Sequence, residues 1–91
     1  TSATFQQNNA TTDWARISII GGNAGASVID FGDADKQDIG MLKYDHTDNY
    51  IGYFYNGSEI LRVEDYGYVG IGRTNPTEVL DINGAIRVGN T

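Results

Sequence analysis

Tyr68-Val69-Gly70-Ile71-Gly72-Arg73-Thr74-Asn75-Pro76-Thr77-Glu78-Val79-Leu80-Asp81-Ile82-Asn83-Gly84-Ala85-Ile86-Arg87-Val88-Gly89 is the stretch that decides the fold. It holds three short apolar-alternating pieces separated by turn chemistry. Val69 and Ile71 point to one side of a strand, while Gly70 and Gly72 leave the other side bare for close approach by a second backbone. Pro76 cannot donate to a ladder and disfavours helix at Asn75, so residues 74–77 read as a turn that ends the strand. Leu80 with Ile82, then Ile86 with Val88, form two more period-two pieces around Asn83-Gly84, a dipeptide suited to a tight hairpin turn. Nothing here favours helix, and each piece is too short to make a core alone.

The same shortage runs through the whole chain. Its 91 residues suffice for one domain, near the lower range at which a core is self-sufficient. The apolar share of 40% is spread in twos and threes rather than concentrated. A meander of such short strands buries little, so an obligate oligomer of identical chains is expected. Twelve acidic against six basic residues give a net charge of −6, which argues against a nucleic-acid partner, since phosphate binding is carried by clustered Lys and Arg. Zero cysteines exclude a disulfide framework and a thiolate metal site. No apolar run approaches the roughly 18 residues of a membrane-spanning helix, and the start lacks a charged and then hydrophobic signal, so neither membrane insertion nor a leader is expected. The chain reads as a piece of something longer.

Residues 1–13 are polar and aperiodic and are expected to form an extended leading segment. Residues 14–20 alternate, with Ala15, Ile17 and Ile19 on one face, and read as the first firm strand. A Gly21-Gly22-Asn23-Ala24-Gly25 turn leads to a strand over residues 26–32, with Ile29 and Phe31 together. Residues 39–44 follow, carrying Leu42 and Tyr44 on one face and Ile39 and Met41 on the other, which suggests burial on both sides. Residues 50–55 and 59–63 form a hairpin around Asn56-Gly57. A two-residue loop would pair Tyr55 with Ser58 and set Tyr53 beside Ile60. A three-residue loop ending in Ser58 aligns Ile51 with Val63, Gly52 with Arg62 and Tyr53 with Leu61, and is preferred because it gathers the apolar side chains on one face and stacks Arg62 over a glycine.

The candidate chemistry is sparse. The carboxylates fall almost entirely in turns, where Asp commonly bonds its own backbone, so the chain is not expected to be an enzyme. Asp33, Asp35 and Asp38 gather oxygens but lack the glycine and terminal Glu of a calcium loop. His46 stands alone beside Asp45 and becomes a metal ligand only if several copies meet at an axis. No cofactor or metal is expected, and these four residues are weak metal candidates. Trp14, Tyr66 and Tyr68 are the candidate glycan contacts, because their amphipathic rings stack on sugars, whereas Tyr50, Tyr53 and Phe54 are expected to fill surface between strands and chains.

Val69-Gly70-Ile71-Gly72, Pro76, Leu80, Ile82, Gly84 and Ile86 resemble the Val-Gly-Ile-Gly-x-x-x-Pro-x-x-x-Leu-x-(Val/Ile)-x-Gly-x-Ile pattern of bacteriophage tail fibres and tailspikes that often stands before an endosialidase-type intramolecular chaperone domain. Phe31-Gly32-Asp33, Tyr44-Asp45-His46, Asn56-Gly57-Ser58-Glu59 and Leu61-Arg62-Val63 are similar to further words of those shafts, in the same order. Ile60 departs from the pattern where a basic residue is common, as do Tyr66 and Tyr68 in a turn that is usually small and polar.

The resemblance implies an all-β, intertwined parallel homotrimer of short strands and hairpins, a triple β-helix or β-prism-like fibre, occupying residues 14–91. Ile17, Ile19, Ile29, Phe31, Leu42, Ile51, Tyr53, Leu61, Val63, Val69, Ile71, Leu80 and Ile82 should supply its buried surface. It implies a structural and attachment segment of a virion tail fibre or receptor-binding protein, extracellular after release, supporting adhesion to the bacterial surface. The alternatives are a carbohydrate-binding fibre tip that takes bacterial surface polysaccharide, or a non-viral trimeric adhesin stalk. The resemblance also implies an intramolecular chaperone domain as a partner beyond the segment, which similar proteins can lose from the C-terminus by self-cleavage.

Overall fold

The computed structural model describes residues 2–6 and 11–89 and contains one six-stranded sheet, with no helix among those residues. The strands are β1 (Ala26–Phe31), β2 (Gly40–Asp45), β3 (Tyr50–Tyr55), β4 (Ser58–Glu64), β5 (Val69–Ile71) and β6 (Leu80–Ile82), and they lie in the sheet in chain order. The first five form an antiparallel meander, and β6 pairs parallel with β5. The expected leading segment falls partly outside the described residues, at 1 and 7–10, as do the last two residues of the expected fibre domain.

Each turn of the meander has its own chemistry. Between β1 and β2, Asp33 Oδ1 accepts from the N–H groups of Asp35 and Lys36 at 2.9 and 3.0 Å. Between β2 and β3, Asp45 Oδ1 does the same for Thr47 and Asp48 at 2.9 and 3.0 Å. Both are side chains standing in for a backbone turn carbonyl. Asn56 and Gly57, at φ 49° and 84°, form the two-residue turn whose twist matches the strands it joins.

The β3–β4 hairpin combines features of both loop registers. Tyr55 pairs with Ser58 across the tight turn, yet Ile51 faces Val63, Gly52 faces Arg62 and Tyr53 faces Leu61. The register shift falls beside Tyr53 and Phe54, where Ile60 is the extra residue of a β-bulge. The bulge is used by the next strand: the Ile60 carbonyl accepts from Gly72 N–H at 2.8 Å.

Two expected strands are absent. Residues 14–20 join no strand of the sheet and are exposed throughout, because alternation alone supplies no ladder partner. Asn83-Gly84 does not make a hairpin, and Ile86 and Val88 lie beyond the sheet with 62% and 88% exposure. Leu80 and Ile82 find their partner in β5 instead, through a return over residues 72–79 that is shorter than the dozen or so residues of an ordinary parallel crossover. Gly72 at φ 69° starts that return, and buried Pro76 lies within it. Asp81 closes it, accepting from Thr77 N–H at 3.0 Å and pairing with Arg73 at 3.2 Å. Gly70 lies so close to the Arg73 carbonyl that a Cβ there would collide with it.

Cross-strand partners share a face of the sheet, and the two faces differ sharply. One carries the row Val28, Lys43, Gly52, Arg62, Gly70 and Asp81. Tyr50 and Phe54 lean over Gly52 from either side: a Cβ at that glycine would stand 3.2 and 3.1 Å from their rings. The Arg62 guanidinium lies 3.6 Å from the centre of the Tyr50 ring, and Lys43 Nζ lies 4.5 Å from that of Phe54. This layer makes Tyr50, 6% exposed, the one buried large apolar side chain among the described residues.

Candidate functional site

The opposite face carries one apolar row across all six strands: Ile29, Leu42, Tyr53, Leu61, Ile71 and Ile82, each the register partner of the next. Beside it runs Ser27, Tyr44, Ile51, Val63, Val69 and Leu80. Among the described residues, Gly21 and His46 meet the Ser27–Tyr44 end of the second row, while much of the rest of both rows stays open. Ile29, Leu42, Ile51, Leu61, Ile71 and Leu80 remain between 37% and 55% exposed. Of the thirteen side chains expected to supply buried surface, eleven belong to this one face; Ile17 and Ile19 lie outside the sheet. Within a single chain they bury little, and the two-sided burial expected for residues 39–44 is not reached, since Leu42 is 37% exposed.

The chain as a whole is more open than its length requires. The chain exposes 7258 Å², whereas a folded monomer of 9.9 kDa is expected to expose roughly 5,200 Å². Its Cα radius of gyration is 16.6 Å, against about 12 Å for a compact domain of this length. The exposed coil before β1 and the exposed segment after β6 share in that excess with the apolar face, and a contiguous apolar face this long is unusual on a monomer.

The polar face, by contrast, is closed upon itself. Arg62 Nε and Nη2 donate to the two Glu59 oxygens at 2.8 Å each, and Nη1 donates to Glu64 at 2.8 Å. All three side chains are 13% exposed or less. The two carboxylates raise the Arg62 pKa above its already high value, so this guanidinium is permanently charged and permanently occupied. Arg62 and Glu64 share a face by simple alternation. Glu59, three residues before Arg62, reaches that face only because the bulge at Ile60 shifts the parity.

The candidate ligands do not converge. Asp33 is occupied by its own turn, and Asp38 pairs with Lys36 at 3.3 Å. Among the described residues no three acidic or His side chains form a group able to hold a metal ion. His46 Nε2 shares a 2.9 Å hydrogen bond with the Ser27 hydroxyl, which also accepts from Gly21 N–H at 3.1 Å. The Tyr44 ring lies 5.1 Å away. This cluster ties the start of β1 to the turn after β2, a contact not visible in the sequence because 19 residues separate Ser27 from His46.

The glycan candidates occupy separate places. Tyr66 and Tyr68 meet edge to face with ring centres 4.9 Å apart, at the turn between β4 and β5, and Tyr66 is 59% exposed. Desolvation, followed by the nearby Glu64 and Asp65 carboxylates, raises the Tyr66 pKa and keeps its hydroxyl protonated as a donor. Trp14 lies in the leading coil with the Arg16 guanidinium 5.2 Å from its ring centre, beside an open hollow lined also by Thr4, Phe5 and Gln6. Among the described residues no helix is long and apolar enough to cross a membrane. No protein-family model matches the chain, and no curated protein is significantly similar to it.

Proposed function

We propose that this chain is a structural and attachment segment of a bacteriophage tail fibre or receptor-binding protein, built as a homotrimer with the apolar faces of three sheets turned inward. The observation that carries this reading is the apolar row of Ile29, Leu42, Tyr53, Leu61, Ile71 and Ile82, in which Ile29, Leu42, Leu61 and Ile71 remain exposed. Burying such a row between copies stabilises by about 25 cal/mol per Å² of apolar surface removed from water. The polar face, with Arg62 held by two carboxylates, remains outside on a chain of net charge −6. The tail-fibre setting is supported by the resemblance carried by residues 69–86. The segment acts by shape: it is a stiff spacer, extracellular on the released virion, that holds a recognition element away from the particle and takes no cofactor or nucleic acid.

The exposed Tyr66–Tyr68 pair favours a second reading, in which the segment is itself a fibre tip binding bacterial surface polysaccharide through those rings. Small-angle scattering combined with a glycan array separates the two. An elongated particle of three chains that retains no glycan supports the spacer. Retention that disappears with Tyr66→Ala contradicts the spacer and supports the tip.

A further inference from the structure

We propose that residues 14–20 form a seventh strand that is completed only between chains, by adding to the open edge of β6 in the next copy. The inference rests on the self-association proposed above and names the contact that closes it. Residues 14–20 alternate like a strand and are rich in β-branched Ile, yet join no strand of their own sheet. Trp14, Ile17 and Ile20 are 74%, 64% and 90% exposed. The sheet ends at β1 on one side and β6 on the other, so two rows of unpaired N–H and C=O groups accompany one unpaired strand-like segment in every chain.

The choice of β6 follows from symmetry and charge. The segment enters β1 through the turn at Gly21–Gly25, held by the Gly21 bond to Ser27 and the Gly25 bond to Gly22, so it belongs to the β1 side of the molecule. If the β1 sides of two copies met, the contact would be self-complementary and would close as a dimer. A β1 side meeting a β6 side is head-to-tail and closes as a ring, which suits three copies and covers the β6 edge of each. Ala15, Ile17 and Ile19 then continue the apolar row past Leu80, which is 55% exposed. Arg16 points to the other face, where β6 presents Asp81. Asp81 has one cation already, Arg73 at 3.2 Å, and in a chain of net charge −6 a second guanidinium is a favourable neighbour.

The absence of cysteine makes the contact directly readable. Three variants of the 91-residue chain pair Leu80→Cys with Ala15→Cys, Ile17→Cys or Ile19→Cys, are oxidised, and run on denaturing gels beside light scattering of the unmodified chain. Leu80 and Ile17 are exposed in the single chain, so these substitutions leave the sheet itself intact. The expected result is a covalent trimer, abolished by reductant, in at least one variant. A trimer mass in solution with only monomer bands from all three overturns the strand addition and leaves the proposed trimer standing. A monomer mass for the unmodified chain overturns both.

Discussion

The two faces of this sheet are built from the same strands and obey opposite rules. On the polar face the large side chains at the centre of the sheet are partnered within the chain: Arg62 has two carboxylates and a ring, Lys43 has Phe54, and Tyr50 is buried beneath Arg62. On the apolar face the six-strand row has neighbours along the sheet, yet Ile29, Leu42, Leu61 and Ile71 remain exposed. The polar face therefore gives one chain its shape, while the apolar face gives a chain a reason to meet its copies. Variants on the two faces should fail differently.

The largest effect is expected from charge on the apolar face. Leu61→Asp, at the centre of the row, should place an unpaired carboxylate in each subunit interface at about 3–5 kcal/mol and convert trimer to monomer in light scattering. The matching change at an exposed polar site, Asp48→Lys, should leave the mass unaltered.

Arg62→Met should come next, at about 2–3 kcal/mol of unfolding free energy in urea, because it leaves Glu59 and Glu64 facing one another without their cation. The mass at low denaturant should remain that of the wild type. A loss of mass equal to that of Leu61→Asp would mean that the faces are not separable.

The glycine sites sharpen the same point. Gly70→Ala drives a Cβ into the Arg73 carbonyl, and Gly52→Ala into the Tyr50 and Phe54 rings. Each should lower stability by about 1–3 kcal/mol, Gly70→Ala by more because backbone yields less than a ring. Thermal unfolding checks the order.

Asp45→Asn should have the smallest effect and a pH signature. The Asp48 N–H, followed by that of Thr47, holds the Asp45 carboxyl below its ordinary value of 3.8. Its contribution is therefore present above 3.8 and is lost as pH falls through the lower folded value. Wild type should be slightly more stable than the variant at pH 7, and the difference should vanish in strong acid.

Much of the sheet was legible because its turns are chemically marked. Asn56-Gly57, Asp45 and Asp33 each stop a strand for a local reason, and the expected strand over residues 50–55 coincides with β3. Of the thirteen side chains expected to supply buried surface, the register gathers eleven on one face. Alternation failed at residues 14–20 and around Asn83-Gly84, where the pattern was correct for a strand but pairing depends on distant backbone. The Arg62 fork was missed since Glu59 and Arg62, three apart, share a strand face only across a bulge. Its one hint was the choice between two hairpin registers, both of which the bulge partly satisfies. The Ser27–His46 bond had no local signal at all. Among the site candidates, the Tyr66–Tyr68 pair could be read from adjacency, while the Asp33, Asp35 and Asp38 spacing proved to be turn and ion-pair chemistry.

The most direct test of the uncovered face is the molar mass of the 91-residue chain by light scattering, followed from high to low concentration. A constant mass of three chains, falling to one in Leu61→Asp, is the result predicted here. A folded monomer across the whole range would contradict it, since the apolar row would then be stable in water without a second copy to cover it.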